Sequence, residues 1–157
     1  MFLLIKIGSI FLVFLLVFTF VFGITRYQDF SMDPAIKDGD VVIFFRYKGR
    51  VYEPGDAIAL KKEGETQVRR VIATAGDTVD IANGGLWING ALQQEIGIYQ
   101  ETERYQDGAD FPLTVPEGEV FLLGDHRYGA VDSRIYGCVK VEDTLGKVMT
   151  VIRRRGI

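Results

Sequence analysis

The 157-residue sequence contains only one cysteine, Cys138, and only one histidine, His126. A lone cysteine excludes a small scaffold held together by intrachain disulfides. One histidine and one cysteine, twelve residues apart, are too few for a tetrahedral metal site. The glycines form neither a G-x-x-x-x-G-K-[ST] pattern nor a strand-to-helix G-x-G-x-x-G pattern, so nucleotide binding is not indicated. We therefore predict that the protein uses no metal and no cofactor.

Positive charge is also scarce after the first 25 residues. Residues 26–157 carry 17 basic and 21 acidic side chains, which gives a formal charge of −4. A domain that binds nucleic acid carries a basic patch or stripe instead. We therefore predict that nucleic acid is not a partner.

The N-terminal part lacks charge over a long stretch. Ile7 to Thr25 are nineteen consecutive uncharged residues, and six of the eleven phenylalanines lie before residue 23. As a helix this run would be ~28 Å long, close to the ~30 Å hydrocarbon core of a bilayer. A cleaved secretory signal has a shorter apolar core and an A-x-A-like site, which is missing here. The sequence predicts an uncleaved single-pass anchor in residues 1–25, in contact with lipid through residues 7–25, and one domain over residues 26–157.

The segment after Arg26 has the pattern of a β domain. No window there keeps an apolar period of 3.6 residues over three turns, as an amphipathic helix would. Instead, Gly-Asp pairs precede runs of β-branched or apolar residues at positions 41–45, 57–60 and 78–81. Further hairpin signals are Glu63-Gly64-Glu65, Asn83-Gly84-Gly85 and Asn89-Gly90. These patterns predict a mainly β fold with long coiled hairpins and a short helical turn near residues 32–37.

A serine follows closely behind the anchor. Ser31 lies six residues after Thr25, so even an extended chain keeps it within ~21 Å of the end of the apolar run. Any group on which Ser31 acts must therefore lie at the membrane surface. Taken alone, a serine before Met32-Asp33-Pro34 is better explained as a turn or capping residue than as a nucleophile, because caps are far commoner.

Two later blocks change that interpretation. Residues 67–79 contain Arg69-Arg70 and Gly76-Asp77, and residues 124–137 contain Gly-Asp-His-Arg, Asp-Ser-Arg and a final Gly, in that order. Together with the anchored Ser-Met-x-Pro, these blocks resemble the type I signal peptidases, the membrane-anchored serine endopeptidases that remove signal peptides from exported proteins. The resemblance runs from the anchor to about residue 151. The small size and the single apolar segment are similar to the Gram-positive type of the family.

The resemblance implies a role for each matching residue. Ser31 falls at the position of the nucleophile, and Met32 and Pro34 match its companions in that motif. Asp132 and Arg134 match an acid and a base that pair to brace the active site, whereas a solvated surface pair, worth ~0–1 kcal/mol, is the alternative. The family fold is a mostly antiparallel β domain on the outer face of the membrane. This implies a cytoplasmic N terminus, an orientation that the charges flanking the anchor leave open.

The chain departs from the family at the position of the general base. The family has a lysine there, and this sequence has Arg69. Burial can lower the pKa of a lysine from ~10.4 by up to 3–5 units, whereas an arginine starts at ~12.5–13.8 and stays protonated. Neutralising an arginine at pH 7 costs on the order of 8 kcal/mol. We therefore predict that Arg69 is not competent as a base.

Three further departures surround the same site. Ala130 stands where the family commonly has a serine that hydrogen-bonds the lysine, so the base and its orienting hydroxyl are missing together. Asp29 stands two residues before the nucleophile, where the family keeps a small residue, and an ionised carboxylate there would oppose a developing oxyanion. His126 replaces an asparagine and is better explained as a polar loop residue.

Three residues are candidates for a replacement base. Lys61 and Lys62 lie across a predicted hairpin from Arg69, although lysines beside a turn are usually solvated. His126, with Asp132 as its orienting carboxylate, supplies the residue types of a Ser-His-Asp arrangement. An active signal peptidase that uses a displaced base therefore stays open as the alternative.

The main hypothesis from the sequence is a weak or inactive signal-peptidase-like protein. Its scaffold and Ser31 persist while the Ser/Lys dyad is broken, so it would bind signal peptides or pilin-type exported proteins without cutting them. Divergent family members that lack the catalytic lysine are associated with pilus assembly in Gram-positive bacteria, where they resemble accessory or chaperone factors. A self-cleaving repressor-type protein shares the dyad, but the anchor and the missing lysine argue against it.

Overall fold

The computed structural model describes residues 2–46 and 49–153. Its first element is helix α1, Phe2–Val21, which has no buried residue and is long and apolar enough to cross a membrane. The last four residues of the uncharged run belong instead to strand β1, Phe22–Arg26, which pairs residue by residue with residues 41–45. The prediction that residues 7–25 form one continuous helix is therefore wrong at its C-terminal end. The pairing partner lies about twenty residues further along the chain, so local composition does not reveal it.

The rest of the described chain is built mainly from antiparallel strands. After β1 come β2 (Val41–Phe45), β3 (Ala57–Lys62), β4 (Glu65–Thr74), β5 (Thr78–Ala82), β6 (Gly85–Ile88), β7 (Ala91–Leu92), β8 (Leu113–Thr114), β9 (Glu119–Leu123), β10 (Val139–Lys140) and β11 (Thr144–Ile152). A short helix α2, Ser133–Tyr136, and a 3₁₀ turn, Val141–Asp143, precede and follow β10. One sheet has the order β1-β2-β11-β3-β4-β9-β10 and the other β7-β6-β5-β8. The predicted mainly antiparallel β domain behind one N-terminal helix is confirmed.

Three Gly-Asp pairs form the same turn, each directly before a strand. In Gly39-Asp40, Gly55-Asp56 and Gly76-Asp77 the glycine has φ of 86°, 98° and 89°, a region that other residues rarely adopt. The aspartate carboxylate then accepts a hydrogen bond from the amide three residues earlier, at 2.9, 3.1 and 3.0 Å respectively. These turns lead into β2, β3 and β5, as the pattern predicts.

The hairpin turns also lie at their predicted positions. Glu63-Gly64 joins β3 to β4, Asn83-Gly84 joins β5 to β6, and Asn89-Gly90 joins β6 to β7. Both residues of each turn have positive φ, which matches the right-handed twist of the flanking strands.

The turn after β1 is packed against the large sheet through Met32. Met32 is fully buried in an apolar cluster with Tyr27, Ile36, Val42 and Val68. The amide of Ile36 donates to the carbonyl of Met32 at 2.9 Å, which closes the short helical turn that the sequence predicts. Ser31, one residue earlier, is thereby fixed beside β4.

Helix α1 joins the β domain without a linker. The rings of Phe14, Phe18, Phe22 and Phe45 follow one another, with centroid separations of 6.3, 4.9 and 5.5 Å. Contacts between aromatic rings at such distances are favourable. β1 therefore continues directly from the apolar helix and ends five residues before Ser31.

Candidate active site

Ser31 lies where the turn after β1, strand β4 and the loop after β9 meet. The amide of His126 in that loop donates to the carbonyl of Ser31 at 2.9 Å. Gly124 lies so close that an added Cβ would be 2.6 Å from the Ser31 carbonyl oxygen and 2.8 Å from the Cβ of Ala130. The fold thus brings Ser31 and Ala130 together, although they are 99 positions apart.

The hydroxyl of Ser31 is bound to a carboxylate. Ser31 is only 7% exposed, and its Oγ donates to Oδ1 of Asp29 at 3.0 Å. The backbone amide of Ser31 donates to the same oxygen at 3.2 Å. The hydroxyl proton is therefore directed towards Asp29 and not towards an amine.

The side chain of Arg69, in β4, forms hydrogen bonds with the serine turn, with β4 itself and with the loop after β9. Its side chain is 1% exposed, and Nη1 donates to Oδ2 of Asp29 at 3.0 Å and to the carbonyl of Val68 at 2.6 Å. Its Nε donates to the carbonyl of Val131 at 3.0 Å. The guanidinium thus acts as a charged cross-link between the serine turn, the β4 backbone and the loop after β9.

The carboxylate of Asp29 is held in its ionised form. Burial would raise the pKa of this carboxyl, but the hydrogen bond from Ser31 Oγ, the charge of Arg69 and the amides of Ser31 and Phe30 together hold the pKa below its ordinary value. The negative charge that the sequence predicts beside the serine is present, and Arg69 pairs with it.

Three other residues of the predicted site support the turn and the loop. Ala130 is 1% exposed, offers no hydroxyl, and accepts a hydrogen bond at its carbonyl from the Tyr105 hydroxyl at 3.0 Å. Met32 is buried in the core, whereas Pro34 is exposed on the turn. Met32 and Pro34 therefore belong to the scaffold that carries Ser31.

Asp132 and Arg134 form a buried, two-point ion pair. Oδ1 of Asp132 accepts from Nε of Arg134 at 2.9 Å, and Oδ2 accepts from Nη2 at 2.8 Å. Oδ2 also accepts from the amide of Gly124 at 3.1 Å, and Nη2 also donates to the carbonyl of Arg127 at 2.7 Å. Both side chains are at most 2% exposed, so the pair is not the solvated alternative. It fixes the loop that contacts Ser31.

None of the three candidate bases contacts the Ser31 hydroxyl. Nδ1 of His126 lies 2.9 Å from the carbonyl of Tyr128, and the carboxylate of Asp132 is already bound to Arg134. The ammonium of Lys62 lies 4.5 Å from the ring centroid of Tyr136. Lys61 is exposed and pairs with Thr66 in the hairpin, three positions from Arg69.

Sequence reasoning missed a second set of buried charges behind the site. Arg70 makes a two-point contact with Asp125 through Nε and Nη2, at 2.6 and 2.5 Å. Arg127, 1% exposed, donates through Nη2 to Oε1 of Glu95 at 2.6 Å and through Nε to the carbonyl of Gly124 at 2.9 Å. Both arginines lie in the sequence blocks that carry the family resemblance. Their place in those blocks was the one sequence feature that could have indicated a role near the site.

Tyr136 is a further neighbour of Arg69 that the sequence did not single out. Burial raises the pKa of this tyrosine, and the nearby charge of Arg69 opposes that rise. The phenol therefore stays protonated beside the guanidinium. Tyr136 closes α2, directly after the Asp132–Arg134 pair, which fixes its distance from Arg69.

A cleft of about 490 Å³ opens beside Ser31. Its lining is mainly polar: Thr25, Arg26, Gln28, Asp29, Ser31, Glu65, Thr66, Gln67, Arg69, Gly129 and Val131. Within residues 2–46 and 49–153, no group of three or more His, Cys, Asp or Glu side chains is placed to hold a metal ion. The chemistry available in the cleft is that of hydroxyl, amide and charged side chains.

The chain is similar to known proteins over most of its length. The family model described as signal peptidase, peptidase S26, matches residues 2–152. Signal peptidase IB of Staphylococcus aureus is 31% identical over 135 residues, which cover 75% of this chain and 71% of that protein. The crystal structure of a signal peptidase I from Enterococcus faecalis V583 is similar with a TM-score of 0.53 and 31% identity, covering 64% of this chain and 98% of that one. The chain therefore belongs to the signal peptidase S26 family.

Proposed function

We propose that this protein binds exported precursors at the outer face of the membrane and cleaves them weakly or not at all. The observation that carries the proposal is the side chain at the position of the general base. Arg69 is buried there and bound to Asp29, which in turn accepts a hydrogen bond from the Ser31 hydroxyl. Membership of the family supports signal peptides as the ligands.

The contacts of Ser31 leave it without an adequate base. A serine nucleophile is activated by a neighbouring group that takes its proton, and an arginine stays protonated in proteins. Asp29 is in hydrogen-bond reach, but its lowered pKa makes it a weak proton acceptor. General-base help contributes typically ~10²–10⁴-fold to such reactions. A loss of this size supports a protein that retains Ser31 and cleaves weakly or not at all.

We assign a single-pass topology to the chain. Helix α1 forms the anchor with a cytoplasmic N terminus, and the residues from β1 onward form the extracytoplasmic domain, as the family resemblance implies. The boundary lies after residue 21 instead of residue 25, because β1 pairs with β2 in the sheet of the domain. The apolar helix α1 and its direct continuation into β1 support this assignment. A client would then meet the Ser31 cleft close to the membrane surface.

We further propose that the clients are pilin-type exported proteins and that the chain serves as an accessory or chaperone factor in their assembly. The support is the resemblance to divergent, pilus-associated family members in which the catalytic lysine is missing. Arg69, which stands at the position of that lysine, is the residue of this chain that carries the resemblance.

An active signal peptidase with a displaced base is the second candidate function. The observation in its favour is that Ser31 is retained and lies beside an open cleft. Against it, His126 is bound at Tyr128 and Lys62 lies over Tyr136, so either group would have to move to reach Ser31.

One experiment separates the two candidates. The detergent-solubilised protein is incubated with a preprotein at pH 7–9, beside the matched variant Ser31→Ala, and both complex formation and precursor length are measured. We expect complex formation with intact precursor in both samples. Repeated turnover of the precursor by the wild type that is lost in Ser31→Ala would overturn the proposal and establish the second candidate.

A further inference from the structure

A small pocket lies at the junction between helix α1 and the β domain, away from the Ser31 cleft. Its volume is about 340 Å³. The residues that line it are Phe45, Arg50, Val51, Tyr52, Lys147, Val148 and Met149. The ring of Phe45 lies 5.5 Å from that of Phe22, the first residue after α1, and Phe22 lies 4.9 Å from Phe18 in the helix. The amide of Arg46 donates to the carbonyl of Val21, the last residue of α1, at 2.7 Å. The pocket is therefore at the end of the helix that is long and apolar enough to cross a membrane.

The lining of this pocket combines an exposed apolar surface with positive charge. Val51 and Met149 are 78% and 62% exposed, and with Phe45 they form an apolar patch. Exposed apolar patches with a polar surround mark interaction sites. Arg50 and Lys147 belong to the same lining. The volume lies within the ~300–1,000 Å³ of small-molecule pockets. This combination fits a molecule that has an apolar part and an anionic group.

Arg50 keeps donors that no group of the described chain uses. Its Nη1 donates to the carbonyl of Thr144 at 2.6 Å and lies 3.4 Å from Oγ1 of the same residue. Its Nε is buried and has no hydrogen-bond partner within residues 2–46 and 49–153. None of the ion pairs between those residues involves Arg50. A buried donor without a partner is unfavourable. An anion on the Nε–Nη2 edge of the guanidinium would satisfy the donors and balance the charge.

Lys147 adds little net charge to the pocket. Its Nζ lies 2.6 Å from Oδ1 of Asp56, and the hydrogen bond to this carboxylate raises the pKa of the lysine. Lys147 and Asp56 thus form a pair without net charge. The charge that remains to be balanced beside the pocket is the single one of Arg50. A phosphodiester group carries one negative charge and matches it.

A second cavity, which Arg50 also lines, does not fit an anion. Its volume is about 690 Å³. The residues that line it are Gly49, Arg50, Glu117, Gly118, Glu119, Lys140, Val141 and Glu142. Its three carboxylates outnumber its two cations, so they would repel a negative group. Among the described residues that line the pocket beside Phe45, none is acidic. An anionic group that binds Arg50 is therefore directed to the Phe45 side.

We propose that this pocket binds one anionic phospholipid of the membrane that α1 crosses, with the phosphate on Arg50 and the adjoining apolar part against Phe45, Val51 and Met149. A lipid is the occupant because the pocket lies directly beside the end of α1, where lipid is at hand. A zwitterionic headgroup fits less well, since its own ammonium would lie among the cations of the pocket. The bound lipid holds the β domain at a fixed height on the membrane. The inference goes beyond the proposed function and does not depend on whether Ser31 cleaves a precursor.

Native mass spectrometry of the full-length protein in detergent tests the stoichiometry and the headgroup. Phosphatidylglycerol and phosphatidylcholine with identical acyl chains are titrated separately. We expect one retained phosphatidylglycerol per chain, bound at least about fivefold more tightly than phosphatidylcholine. Equal binding of the two lipids, or the absence of a species with one lipid per chain, would overturn the inference.

Glycerophosphoglycerol separates a lipid site from a site for a free phosphodiester. This compound is the headgroup of phosphatidylglycerol without its acyl chains. We expect it to compete at least about a hundredfold more weakly than the intact lipid, because it leaves the apolar lining uncovered. Competition as strong as that of the lipid would assign the pocket to a free phosphodiester and overturn the proposal of a lipid.

Arg50→Gln tests the residue that would hold the phosphate. The variant is expected to bind phosphatidylglycerol at least about tenfold more weakly, because charge-assisted hydrogen bonds are lost. Arg153→Gln is the matched control, since it removes the same charge from an exposed position beyond the far end of β11. We expect this control to change binding less than about threefold. An equal loss in both variants would indicate attraction to the overall charge of the protein and would contradict a defined site.

A pair of variants at Val51 gives a test that leaves the contact between Arg50 and Thr144 intact. Val51→Glu places a carboxylate beside the proposed phosphate, whereas Val51→Gln adds a side chain of the same size without charge. We expect Val51→Glu to weaken phosphatidylglycerol binding at least about tenfold and Val51→Gln to change it less than about threefold. This pair decides if Arg50→Gln lowers the unfolding temperature. Wild-type binding by Val51→Glu would show that the lipid binds elsewhere.

Discussion

Arg69 and Asp29 determine the chemistry of this site at the scale of single residues. Arg69 is fixed by Asp29 and by two backbone carbonyls, and Asp29 is fixed by Arg69 and by the Ser31 hydroxyl. The charge of Arg69 and the Ser31 hydroxyl stabilise the charged form of Asp29. The pair therefore holds a guanidinium and a carboxylate beside Ser31, and the carboxylate accepts the hydrogen bond of the serine hydroxyl.

Arg69→Lys combined with Ala130→Ser is expected to restore some preprotein cleavage. A buried lysine can lose its proton, and the introduced hydroxyl can orient it. Asp29 would still stabilise the ammonium, so adding Asp29→Gly is expected to raise the rate further. We expect product formation at least about 10²-fold above wild type, which is the lower end of general-base contributions.

The control for these variants is the same set of substitutions combined with Ser31→Ala. Product should disappear in that control if the restored cleavage passes through the serine. No recovery in any combination would mean that the missing base is an incomplete explanation of the lost activity.

Asp29→Asn is expected to reduce the acid sensitivity of the fold. The pKa of Asp29 is lowered in the folded protein, so its stabilising contribution is present above its unfolded value near ~3.9 and is lost as the pH falls through the folded pKa. The side chain is 36% exposed, and with solvent screening we expect a contribution of about 1 kcal/mol.

Denaturant unfolding between pH 3 and pH 7 measures this contribution. The wild type should lose more stability than Asp29→Asn on the acid side, and the two curves should converge at low pH. Asp80→Asn is the matched control, because Asp80 is about as exposed as Asp29 but pairs with an exposed arginine, Arg104, instead of a buried one. An identical pH dependence for wild type and Asp29→Asn would contradict the assigned ion pair.

The loop after β9 is the element that closes the site on Ser31. The Asp132–Arg134 pair binds the amide of Gly124 and the carbonyl of Arg127 in this loop. The side chain of Arg127 donates to the carbonyl of Gly124. Gly124 lets it approach the serine turn closely enough for the His126 amide to reach the Ser31 carbonyl. The absence of a side chain at Gly124 is thus a steric requirement of the site.

Gly124→Ala is expected to destabilise the protein by about 1–3 kcal/mol, because the new methyl group would overlap the Ser31 carbonyl and Ala130. Thermal unfolding measures the effect. Gly8→Ala is the control, since its added methyl group meets nothing within 4 Å. A wild-type unfolding temperature for Gly124→Ala would show that the loop is not packed against the serine turn.

The elements themselves were largely predictable from local signals. The Gly-Asp and Asn-Gly turns lie where the sequence predicts them, because positive φ and a side chain that bonds back to the amide are local properties. The end of α1 was not predictable in this way. Phe22 to Thr25 are apolar enough for a helix, and only their pairing with β2 makes them a strand.

The types of residue in the site could be predicted from the sequence, whereas most of the contacts between them could not. That an arginine cannot replace a lysine base follows from the chemistry of the guanidinium alone. That Arg69 meets Asp29, forty positions earlier, depends on the register of the large sheet and on the turn after β1. The strand register also explains why Lys61 does not lie beside Arg69. Arg69 pairs with Ile58, and Lys61 pairs with Thr66.

At the scale of the whole molecule, the membrane segment and the site form one continuous unit. The apolar helix continues into β1, and contacts between phenylalanine rings connect it to β2. The chain reaches Ser31 five residues after β1 ends. The family match over residues 2–152 covers both parts. The scaffold of the signal peptidase S26 family is thus kept around Ser31, whose hydroxyl is bound to Asp29.

Single-turnover cleavage tests this central claim most directly. The solubilised protein, in excess over a labelled preprotein, is followed by mass spectrometry at pH 7–9 together with Ser31→Ala. We expect wild type and variant to leave the precursor equally intact while both retain it in a complex. Mature product formed by the wild type alone would contradict the account, because it would show that Ser31 finds a base despite Arg69.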